Sequence, residues 1–373
     1  MTVALAIGAV VALQALVLGL VNMRRYRRAP DGPASETLVS VCIPARNEEP
    51  NVEACVRAAL ASEGVAVEVL CYDDQSTDRT PEILARLAAE DPRLRVPPTR
   101  PLPDGWNGKQ HACERMGEAA RGEWLLFTDA DVRLAPDALR RTLAFARHAQ
   151  ADLVSTVPYQ RVGSPGEGLF VPLIHFVLLS YLPFGRMRST PDPAASAGCG
   201  QYLFARREAY RTSGGHAAFR ASMHDGVKMP RAFRSAGFRT DLFDGTDLVS
   251  CRMYRGLGQT WRGFAKNAFE GLGSVALLVV VTALHVVGHL LPWAWLGYAA
   301  VTGSWQPWPA ALACLAIAFG LAERVALCIR FRQPWWCVPL HPVSIAAMTA
   351  VQWWSLWLAK RGKRSWKGRT AGG

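Results

Sequence analysis

The most suggestive chemical feature of the sequence is a pair of aspartates, Asp129 and Asp131, at the end of the apolar run "EWLLFTDAD". Residues two apart on an extended chain point to the same side, so these two carboxylates would lie together. Adjacent carboxylates repel each other unless a cation joins them. Mg²⁺ or Mn²⁺ prefers oxygen ligands and would leave positions for the oxygens of a diphosphate. An isolated Asp-x-Asp is more often a turn followed by a helix start, so the interpretation depends on the other acidic clusters.

Two other acidic clusters favour a site over a simple turn. Asp73 and Asp74 follow a second apolar run in "VEVLCYDDQSTDRT", and Asp225 lies in "SMHDGVKMP". The adjacent pair either forms turns and caps or accepts hydrogen bonds from a base or a ribose. Asp225 by itself would be an ordinary loop residue. Its neighbour His224 is either a metal ligand or, as we favour, an ordinary polar residue.

Basic and amide side chains supply complementary groups. Lys109 lies in "LPDGWNGKQHA", just before a predicted helix, where it either meets a phosphate or is solvated. Gln259 and Arg262 are three residues apart and share a face if 253–273 is helical. That segment combines aromatic and basic residues, which is typical of an amphipathic helix at a membrane surface. A phosphate contact by Arg262 is compatible with that role.

The elements that must position these residues are typical of an α/β domain. Apolar runs alternate with helical patterns, and the strand candidates are 38–45, 67–74, 123–131 and 151–157. A helix over 134–146 is predicted to follow the third strand. Continuous apolar strands that alternate with helices indicate a mostly parallel sheet with helices on both faces. Ligands of such sheets bind at the carboxyl ends of the strands, which is where the aspartates stand.

Apolar segments flank this domain on both sides. Residues 3–22 are apolar and uncharged over the length of a membrane span, and the basic stretch "RRYRR" follows them. A signal peptide has its basic residues first, so we predict a retained anchor with the domain after Arg24 in the cytoplasm. Within the domain, the apolar run 166–186 is either a buried helix or a helix that dips into the bilayer.

Three further spans are predicted at 274–298, 309–329 and 337–358 from their apolar length. The loop 330–333 and the C-terminal tail are both basic, and both therefore favour the cytoplasm. One crossing between them would put them on opposite sides. Either 337–358 is re-entrant or interfacial, or the number of spans is different.

The charge balance indicates an anionic partner. The chain has 42 Lys and Arg against 30 Asp and Glu, a net charge of +12. Nucleic acid, an acidic membrane surface and a phosphorylated substrate would each suit such an excess. The nine cysteines form no CxxC pair and no Cys/His cluster. We therefore predict buried free thiols in a reducing compartment rather than disulfides or zinc.

The ordered set of motifs resembles family 2 glycosyltransferases with the GT-A fold. The matching pieces cover about residues 38–270 and are "VSVCIPARNEE", "CYDDQSTDRT", "GWNGKQHA", "LLFTDADV", "AGCGQYLFARREAY", "HDGVKM" and "YRGLGQTWR". The "GWNGK" and "YRGLGQTWR" pieces, with one N-terminal span and a few C-terminal ones, look most like the membrane glycosyltransferases of hopanoid and carotenoid pathways. Ceramide glucosyltransferases are more distant relatives. The implied fold is Rossmann-like, with a mixed, mostly parallel sheet and transmembrane helices at both ends.

The resemblance also implies roles on the donor side. The nucleoside pocket would be lined by Ala45, Glu48, Asp73 and Asp74. A divalent metal, Mg²⁺ or Mn²⁺, would be held on the diphosphate by Asp131 with the help of Asp129.

Two further motifs depart from the family pattern. Asp225 stands where the family has its general base, but His224-Asp225 replaces the usual Glu-Asp. Gln259 and Arg262 correspond to a Gln-x-x-Arg-Trp motif. Gly263 occupies the usual tryptophan place, which weakens the case for a processive polysaccharide synthase.

The implied activity is inverting transfer of a hexose from a nucleotide-diphosphate sugar, with UDP-glucose as the commonest donor. The acceptor would be a hydroxyl or carboxyl of a membrane lipid or isoprenoid. Asp225 would take the acceptor's proton, and Lys109 and Arg262 would stabilise the departing nucleotide diphosphate. The expected partners are the donor, the lipid acceptor and the bilayer, with no nucleic acid. The alternatives are a processive polysaccharide synthase, a non-catalytic membrane scaffold of the same fold, and a nucleotidyltransferase.

The expected location is a bacterial-type inner membrane with several spans and a cytoplasmic catalytic domain. The corresponding boundaries are an N-terminal transmembrane anchor over 1–23, a basic linker over 24–37, the GT-A domain over 38–252, an interfacial helix over 253–273, transmembrane helices over 274–358 and a basic tail over 359–373.

Overall fold

The computed structural model describes residues 1–363, 365–366 and 369–370 of the 373-residue chain. The chain divides into two compact units. The first includes Met1–Arg25, Val162–Pro183 and Tyr254–Arg361 and is called the helical unit below. The second includes Tyr26–Arg161 and Phe184–Met253 and is called the α/β unit.

Short strands form the centre of the α/β unit. Within the described residues the strands are β1 (Leu38–Ala45), β2 (Ala66–Asp73), β3 (Leu94–Arg95), β4 (Trp124–Thr128), β5 (Val132–Leu134), β6 (Leu153–Ser155), β7 (Tyr159–Gln160), β8 (Tyr202–Arg206), β9 (Thr240–Leu242) and β10 (Val249–Cys251), followed near the C-terminus by the pair β11 (Ser365–Trp366) and β12 (Arg369–Thr370).

The main sheet is mixed and mostly parallel, as the sequence predicts. Its strand order is β3-β2-β1-β4-β8-β6-β9. Strand β8 runs antiparallel to both of its neighbours, whereas the other pairings are parallel. A smaller sheet has the order β5-β10-β7, with β10 antiparallel to β5. The smaller sheet begins immediately after the Asp129–Asp131 segment, so that segment joins the two sheets.

The helices either cover the sheet within the α/β unit or build the helical unit. They are α1 (Thr2–Arg25), α2 (Val52–Leu60), α3 (Thr80–Glu90), α4 (Gly108–Ala119), α5 (Ala138–Ala149), α6 (Pro165–Phe170), α7 (Leu173–Tyr181), α8 (Phe184–Ser189), α9 (Arg207–Thr212), α10 (Asp225–Ser235), α11 (Gly256–Ala265), α12 (Ala268–Leu272), α13 (Val275–His285), α14 (Leu291–Thr302), α15 (Pro307–Phe331) and α16 (His341–Lys360). A π-helical turn, Val286–Leu290, joins α13 to α14.

Alternation along the strands creates two cores, one on each face of the main sheet. On β1, Val41 belongs to the core that contains α2, α3 and α5. The next residue, Cys42, belongs to the core that contains α4, α9 and α10. Successive side chains of a strand point to opposite faces, and both faces here are covered by helices. The near-continuous apolar character of β1 follows from burial on both sides.

One predicted helix begins later than expected. The helix predicted over 134–146 is α5, which spans Ala138–Ala149, and Leu134 ends strand β5 instead. Pro136 accounts for the difference, because a proline disfavours helical backbone at the residue before it. The chain therefore stays extended up to Ala135 and turns into the helix afterwards.

The helical unit contains the apolar segments. By length and composition, three helical stretches of the described chain could cross a membrane: α1, the run Val275–Thr302 and α15. The last two correspond to the predicted spans 274–298 and 309–329. The third predicted span, 337–358, falls on α16, which is not among these candidates.

The apolar run 166–186 lies mainly in the helical unit rather than the α/β unit. It forms helix α7 and most of α6, and α7 packs against α1 and α15. Asn22 of α1 donates from Nδ2 to the carbonyl oxygens of Leu179 and Leu182, both at 2.7 Å. These bonds satisfy carbonyls at the end of α7 that have no partner within the helix.

Candidate active site

The ends of three parallel strands bring the predicted acidic clusters to one edge of the sheet. Ala45, the last residue of β1, is in register with Asp73, the last residue of β2. On its other side β1 pairs in parallel with β4, which ends at Thr128 just before Asp129. The amide of Asp74 donates to the carbonyl oxygen of Ala45 at 2.8 Å. The carboxyl ends therefore assemble the edge where parallel sheets bind ligands.

The residues predicted to line a nucleoside pocket form a connected turn region. The carboxylate of Asp73 accepts from the amide of Ser76 at 3.2 Å, so it stabilises its own turn. Asp74 is fully buried. The carboxylate of Glu48 accepts from Asn51 Nδ2 at 2.9 Å. The bonds of Asp73 and Glu48 are local turn and cap bonds, and a ligand-binding role for these carboxylates stays a prediction.

Asp129 and Asp131 lie on the short connection between β4 and β5. Oδ1 of Asp131 is inaccessible to solvent and has no N–H or O–H partner among the described residues. Burial, together with the negative charges of Asp129 and Glu48, raises the pKa of Asp131 to about 7. A buried carboxylate beside two others is electrostatically unfavourable unless a cation joins them. The carboxylate oxygens of this corner suit Mg²⁺ or Mn²⁺.

No complete metal cage is present within the described residues, where no group of three or more His, Cys, Asp and Glu side chains is arranged to hold an ion. Mg²⁺ usually binds together with a phosphate through one or two carboxylates of the protein, while phosphate oxygens and water complete its coordination shell. The residues present therefore fit a metal that arrives with a diphosphate.

Lys109 connects Asp129, a candidate metal ligand, with Asp225, the candidate general base. It lies in the first turn of α4, where Asn107 Oδ1 accepts from the Lys109 amide at 2.9 Å and caps the helix. Its Nζ is 2.6 Å from Asp129 Oδ1 and 2.9 Å from Asp225 Oδ2. Burial would lower the pKa of this ammonium, but the two carboxylates raise it well above its usual range. Lys109 is therefore a permanent positive charge between Asp129 and Asp225.

Asp225 is the first residue of α10 and is buried. Its Oδ1 accepts from the amide of Gly226 at 2.8 Å. Burial would raise the pKa of Asp225, but the charge and hydrogen bond of Lys109 hold it below the usual range. Asp225 is therefore ionised at neutral pH, as a proton acceptor must be.

Gly200 leaves the space that Asp225 occupies. A Cβ atom at residue 200 would overlap the Asp225 carboxylate, whereas a Cβ at Gly297 in α14 would meet no atom of the described residues within 4 Å. We expect Gly200→Ala to displace Asp225 and to lower the transfer rate about 10²-fold, since small misplacements of a reacting group have effects of this size. Steady-state kinetics would measure this. Gly297→Ala is the control, and equal losses in both variants would contradict a specific role for the close approach at Gly200.

Sequence reasoning missed Gln201 and Cys251. The thiol of Cys251 forms a hydrogen bond with Asp131. Gln201 Nε2 donates to Cys251 Sγ at 3.0 Å. Gln201 directly follows the glycines of the quoted "AGCG" piece, so its position in the motif was a usable signal. The sequence gives no signal for Cys251, because its proximity to Asp131 depends on the pairing of β10 with β5.

Gln259 and Arg262 lie on α11 of the helical unit, as a shared helix face predicts. The side-chain oxygen of Gln259 accepts from the Arg255 amide at 2.9 Å. Arg262 lines a cavity of about 460 Å³ whose other walls are Leu169, Phe170, Leu257, Gly258, Trp261 and Ala347. All of these residues belong to the helical unit. The side chains that line the cavity are apolar, apart from the guanidinium of Arg262.

The departure at Gly263 has a packing reason. A side chain at residue 263 would overlap the ring of Tyr254, and that ring packs against Phe264 with centroids 5.8 Å apart. A tryptophan in this place would displace Tyr254. Gly263 therefore leaves the space that the ring of Tyr254 occupies.

The site so defined, acidic strand ends beside a largely buried lysine, has the charges needed to hold a phosphorylated ligand together with a metal. Residues 40–214 match the family described as glycosyl transferase family 2. The chain is 27% identical over 258 residues to a 4,4'-diaponeurosporenoate glycosyltransferase from Staphylococcus haemolyticus, which covers 68% of this chain and 65% of that protein. It is 36% identical over 115 residues to the succinoglycan biosynthesis protein ExoO from Rhizobium meliloti, which covers 31% of each chain.

A solved structure is similar over nearly the whole chain. The mannosyltransferase PcManGT from Pyrobaculum calidifontis, in complex with GDP-Man and Mn²⁺, has a TM-score of 0.59 and 20% identity, and the match covers 96% of this chain and 99% of that one. This likeness confirms the predicted fold class. The family match falls on the residues that contain most of the quoted motifs and spans a little under half of the chain, in agreement with the resemblance of those motifs. The chain spans only 65% and 31% of the two relatives named above.

Proposed function

We propose that the protein transfers a hexose, with inversion, from a nucleotide-diphosphate sugar to a membrane lipid or isoprenoid. The observation that carries this proposal is the cluster in which Lys109 bridges Asp129 and Asp225 at the carboxyl end of a family 2 domain. The cluster offers carboxylates for a metal, a cation for phosphate and a buried base within one hydrogen-bonded group. UDP-glucose is the first donor to test.

On the donor side, Ala45, Glu48, Asp73 and Asp74 are proposed to hold the nucleoside, and Asp131 with Asp129 the metal. A bound divalent metal, Mg²⁺ or Mn²⁺, would neutralise charge on the departing diphosphate. Lys109 adds a second positive charge at the same place, and buried cations of this kind stabilise developing negative charge strongly. Gln259 and Arg262 stay predicted donor contacts.

On the acceptor side, Asp225 is proposed to accept the proton of a hydroxyl as its oxygen attacks the anomeric carbon. The nucleotide diphosphate leaves from the opposite face, so one displacement gives the inverted, β-linked product. A carboxyl acceptor would already be ionised at neutral pH and would not need this proton transfer. The two acceptor classes therefore differ in how much they depend on Asp225.

The apolar cavity beside Arg262 supports a lipid acceptor. Its walls come from α6, α11 and α16, the same unit that holds the candidate spans. Apolar cavities of several hundred Å³ are typical of small-molecule sites, and an isoprenoid or acyl chain matches these walls. The Staphylococcus haemolyticus relative is named for 4,4'-diaponeurosporenoate, a compound of the carotenoid pathway.

Three spans would also resolve the topology conflict. If α1, Val275–Thr302 and α15 cross the membrane and α16 does not, the segments after Arg24, after Phe331 and after Lys360 share one side. All three segments contain basic residues, so the positive-inside rule places them in the cytoplasm. We propose a multi-pass inner-membrane protein with a cytoplasmic α/β unit.

Replacing Lys109 tests the donor side. We expect Lys109→Gln to weaken donor binding about tenfold or more and to lower turnover, because the phosphate loses a buried cation and two carboxylates lose their counter-charge. Calorimetric titration with the nucleotide diphosphate and Mn²⁺ would measure it. Lys228→Gln removes the same charge from α10 and should bind as the wild type does. Equal affinity in both variants would contradict the assignment.

Filling the cavity tests the acceptor side. Ala347→Trp should reduce transfer to lipid about tenfold or more while donor binding stays unchanged, because the larger side chain occupies the space proposed for the apolar chain. Ala346→Trp is the matched control, since residue 346 is exposed and does not line the cavity. Unaltered transfer by Ala347→Trp would place the acceptor elsewhere.

One experiment separates the proposed activity from its rivals. Purified protein in detergent is screened with nucleotide sugars, Mn²⁺ or Mg²⁺, and total lipid extract as acceptor. Metal-dependent formation of a single-sugar lipid supports the proposal and names the sugar. A polymeric product would support a polysaccharide synthase instead. If no nucleotide sugar binds with any metal, the scaffold alternative leads.

A further inference from the structure

A buried hydrogen-bonded chain leads to the carboxylate of Asp131. Its nearest member is Cys251, the last residue of β10, which is only 1% exposed. Antiparallel pairing puts Cys251 opposite Val132, the residue that follows Asp131. The thiol forms a hydrogen bond with the Asp131 side chain. An ionised carboxylate only accepts hydrogen bonds, so the thiol is the donor.

Two glutamines extend this chain away from the site. Gln201 Nε2 donates to Cys251 Sγ at 3.0 Å, and Gln160 Nε2 donates to Gln201 Oε1 at 2.8 Å. Both glutamines are at least nine-tenths buried. The backbone of Gln201 is fixed in turn, because Thr128 Oγ1 donates to its carbonyl oxygen at 2.8 Å. Each bond therefore points its donor toward Asp131, and such aligned bonds strengthen one another.

The Asp131 carboxylate needs this support. Asp129 and Glu48 are close enough to repel it, and an unsupported carboxylate would rotate away from them. A hydrogen bond on one side limits that rotation. Partners that orient a metal ligand in this way typically change metal affinity 10–100-fold when they are removed.

We propose that Cys251, oriented by Gln201 and Gln160, is a positioning residue that fixes Asp131 for the divalent metal. This inference rests on the proposed function, since it assumes that Asp131 binds the metal. It assigns no chemical step to the thiol. The required property is a hydrogen-bond donor of the right size at residue 251, so a hydroxyl should replace the thiol whereas a methyl group should not.

The test is Mn²⁺ binding by the full-length protein in detergent, with inorganic pyrophosphate present as the diphosphate. Free Mn²⁺ is measured by electron paramagnetic resonance. We expect Cys251→Ala to weaken Mn²⁺ binding about 10-fold or more and Cys251→Ser to stay close to the wild type. Cys42→Ala is the control, because that equally buried thiol approaches only a main-chain carbonyl, Ser40 O, at 3.9 Å.

A second variant tests the chain itself. Gln201→Leu should weaken Mn²⁺ binding in the wild-type background but add little to Cys251→Ala, because the two residues act through one bond to Asp131. If Cys251→Ala does not fold, the serine and Gln201→Leu variants decide the question. The proposal would be overturned if Cys251→Ala bound Mn²⁺ with the wild-type affinity. It would also be overturned if Cys251→Ser bound Mn²⁺ as weakly as Cys251→Ala. Absence of Mn²⁺ binding by the wild type would instead count against the proposed function.

Discussion

Asp225→Asn is expected to lower the rate of transfer to a hydroxyl acceptor about 10²–10⁴-fold, the usual contribution of a general base. The asparagine has nearly the same shape but cannot accept the acceptor's proton. Donor binding should change little, because Lys109 keeps its 2.6 Å contact with Asp129. The measurement is steady-state transfer together with calorimetric donor binding. A fall in turnover without a matching fall in donor affinity is the expected signature.

The control for Asp225→Asn is Asp241→Asn. Asp241 is also a poorly exposed carboxylate of the α/β unit with a cationic partner, Arg188 Nε at 2.9 Å. Asp225→Asn should lower the free energy of unfolding, because Lys109 holds the pKa of Asp225 below its usual range in the folded state. Burial raises the pKa of Asp241, so Asp241→Asn should lower the free energy of unfolding less or not at all. Only Asp225→Asn should lose the transfer rate.

The acceptor class affects how this result is interpreted. An Asp225→Asn variant that transfers sugar at the wild-type rate would show that no base is required, which is the behaviour expected of a carboxyl acceptor. The product then distinguishes the two cases, because a sugar ester is cleaved by mild alkali and a β-glycoside of an alcohol is not. A full rate with an alkali-stable product would refute the role of Asp225.

Asp131→Asn is expected to abolish Mn²⁺-dependent turnover, with a loss of at least about 10³-fold, and at the same time to stabilise the metal-free protein. The rate falls because the amide cannot offer the charge that holds the metal on the diphosphate. Stability rises because burial and the neighbouring carboxylates make ionised Asp131 unfavourable in the folded state. Function and stability thus favour different residues at this position.

The sign of the stability effect follows from the pKa of Asp131, which is raised to about 7 in the folded protein and is about 3.9 in an unfolded chain. The unfolded chain ionises first as pH rises, so the folded state loses stability between about pH 4 and pH 7. The loss is on the order of 2–4 kcal/mol at pH 8. Asparagine does not ionise and avoids it.

The check is thermal unfolding of the wild type and Asp131→Asn in detergent with a chelator, at pH 5 and at pH 8. The unfolding temperature of the variant should be clearly higher than that of the wild type at pH 8 and only slightly higher at pH 5. Addition of Mn²⁺ and pyrophosphate should raise the unfolding temperature of the wild type but not that of the variant. A variant less stable than the wild type at pH 8 would mean that the carboxylate itself supports the fold.

The sequence by itself determined the sheet and the placement of its acids. Continuous apolar strands between helices indicated a mostly parallel sheet with both faces covered, and β1 and β2 fall where the pattern put them. The aspartates at the strand ends followed directly, because parallel strands end at one edge. These features depend on local patterns of burial, which a sequence records residue by residue.

The tertiary structure decided which of these residues act on one another. That Lys109 bridges Asp129 and Asp225 depends on α4 and α10 meeting beside β4, over a separation of more than a hundred residues. That residues 166–181 belong with the long apolar helices depends on packing against α1 and α15. The link from Cys251 to Asp131 depends on one strand pairing. Long-range contacts of this kind are selected by the joint packing of many elements, and no local pattern encodes them.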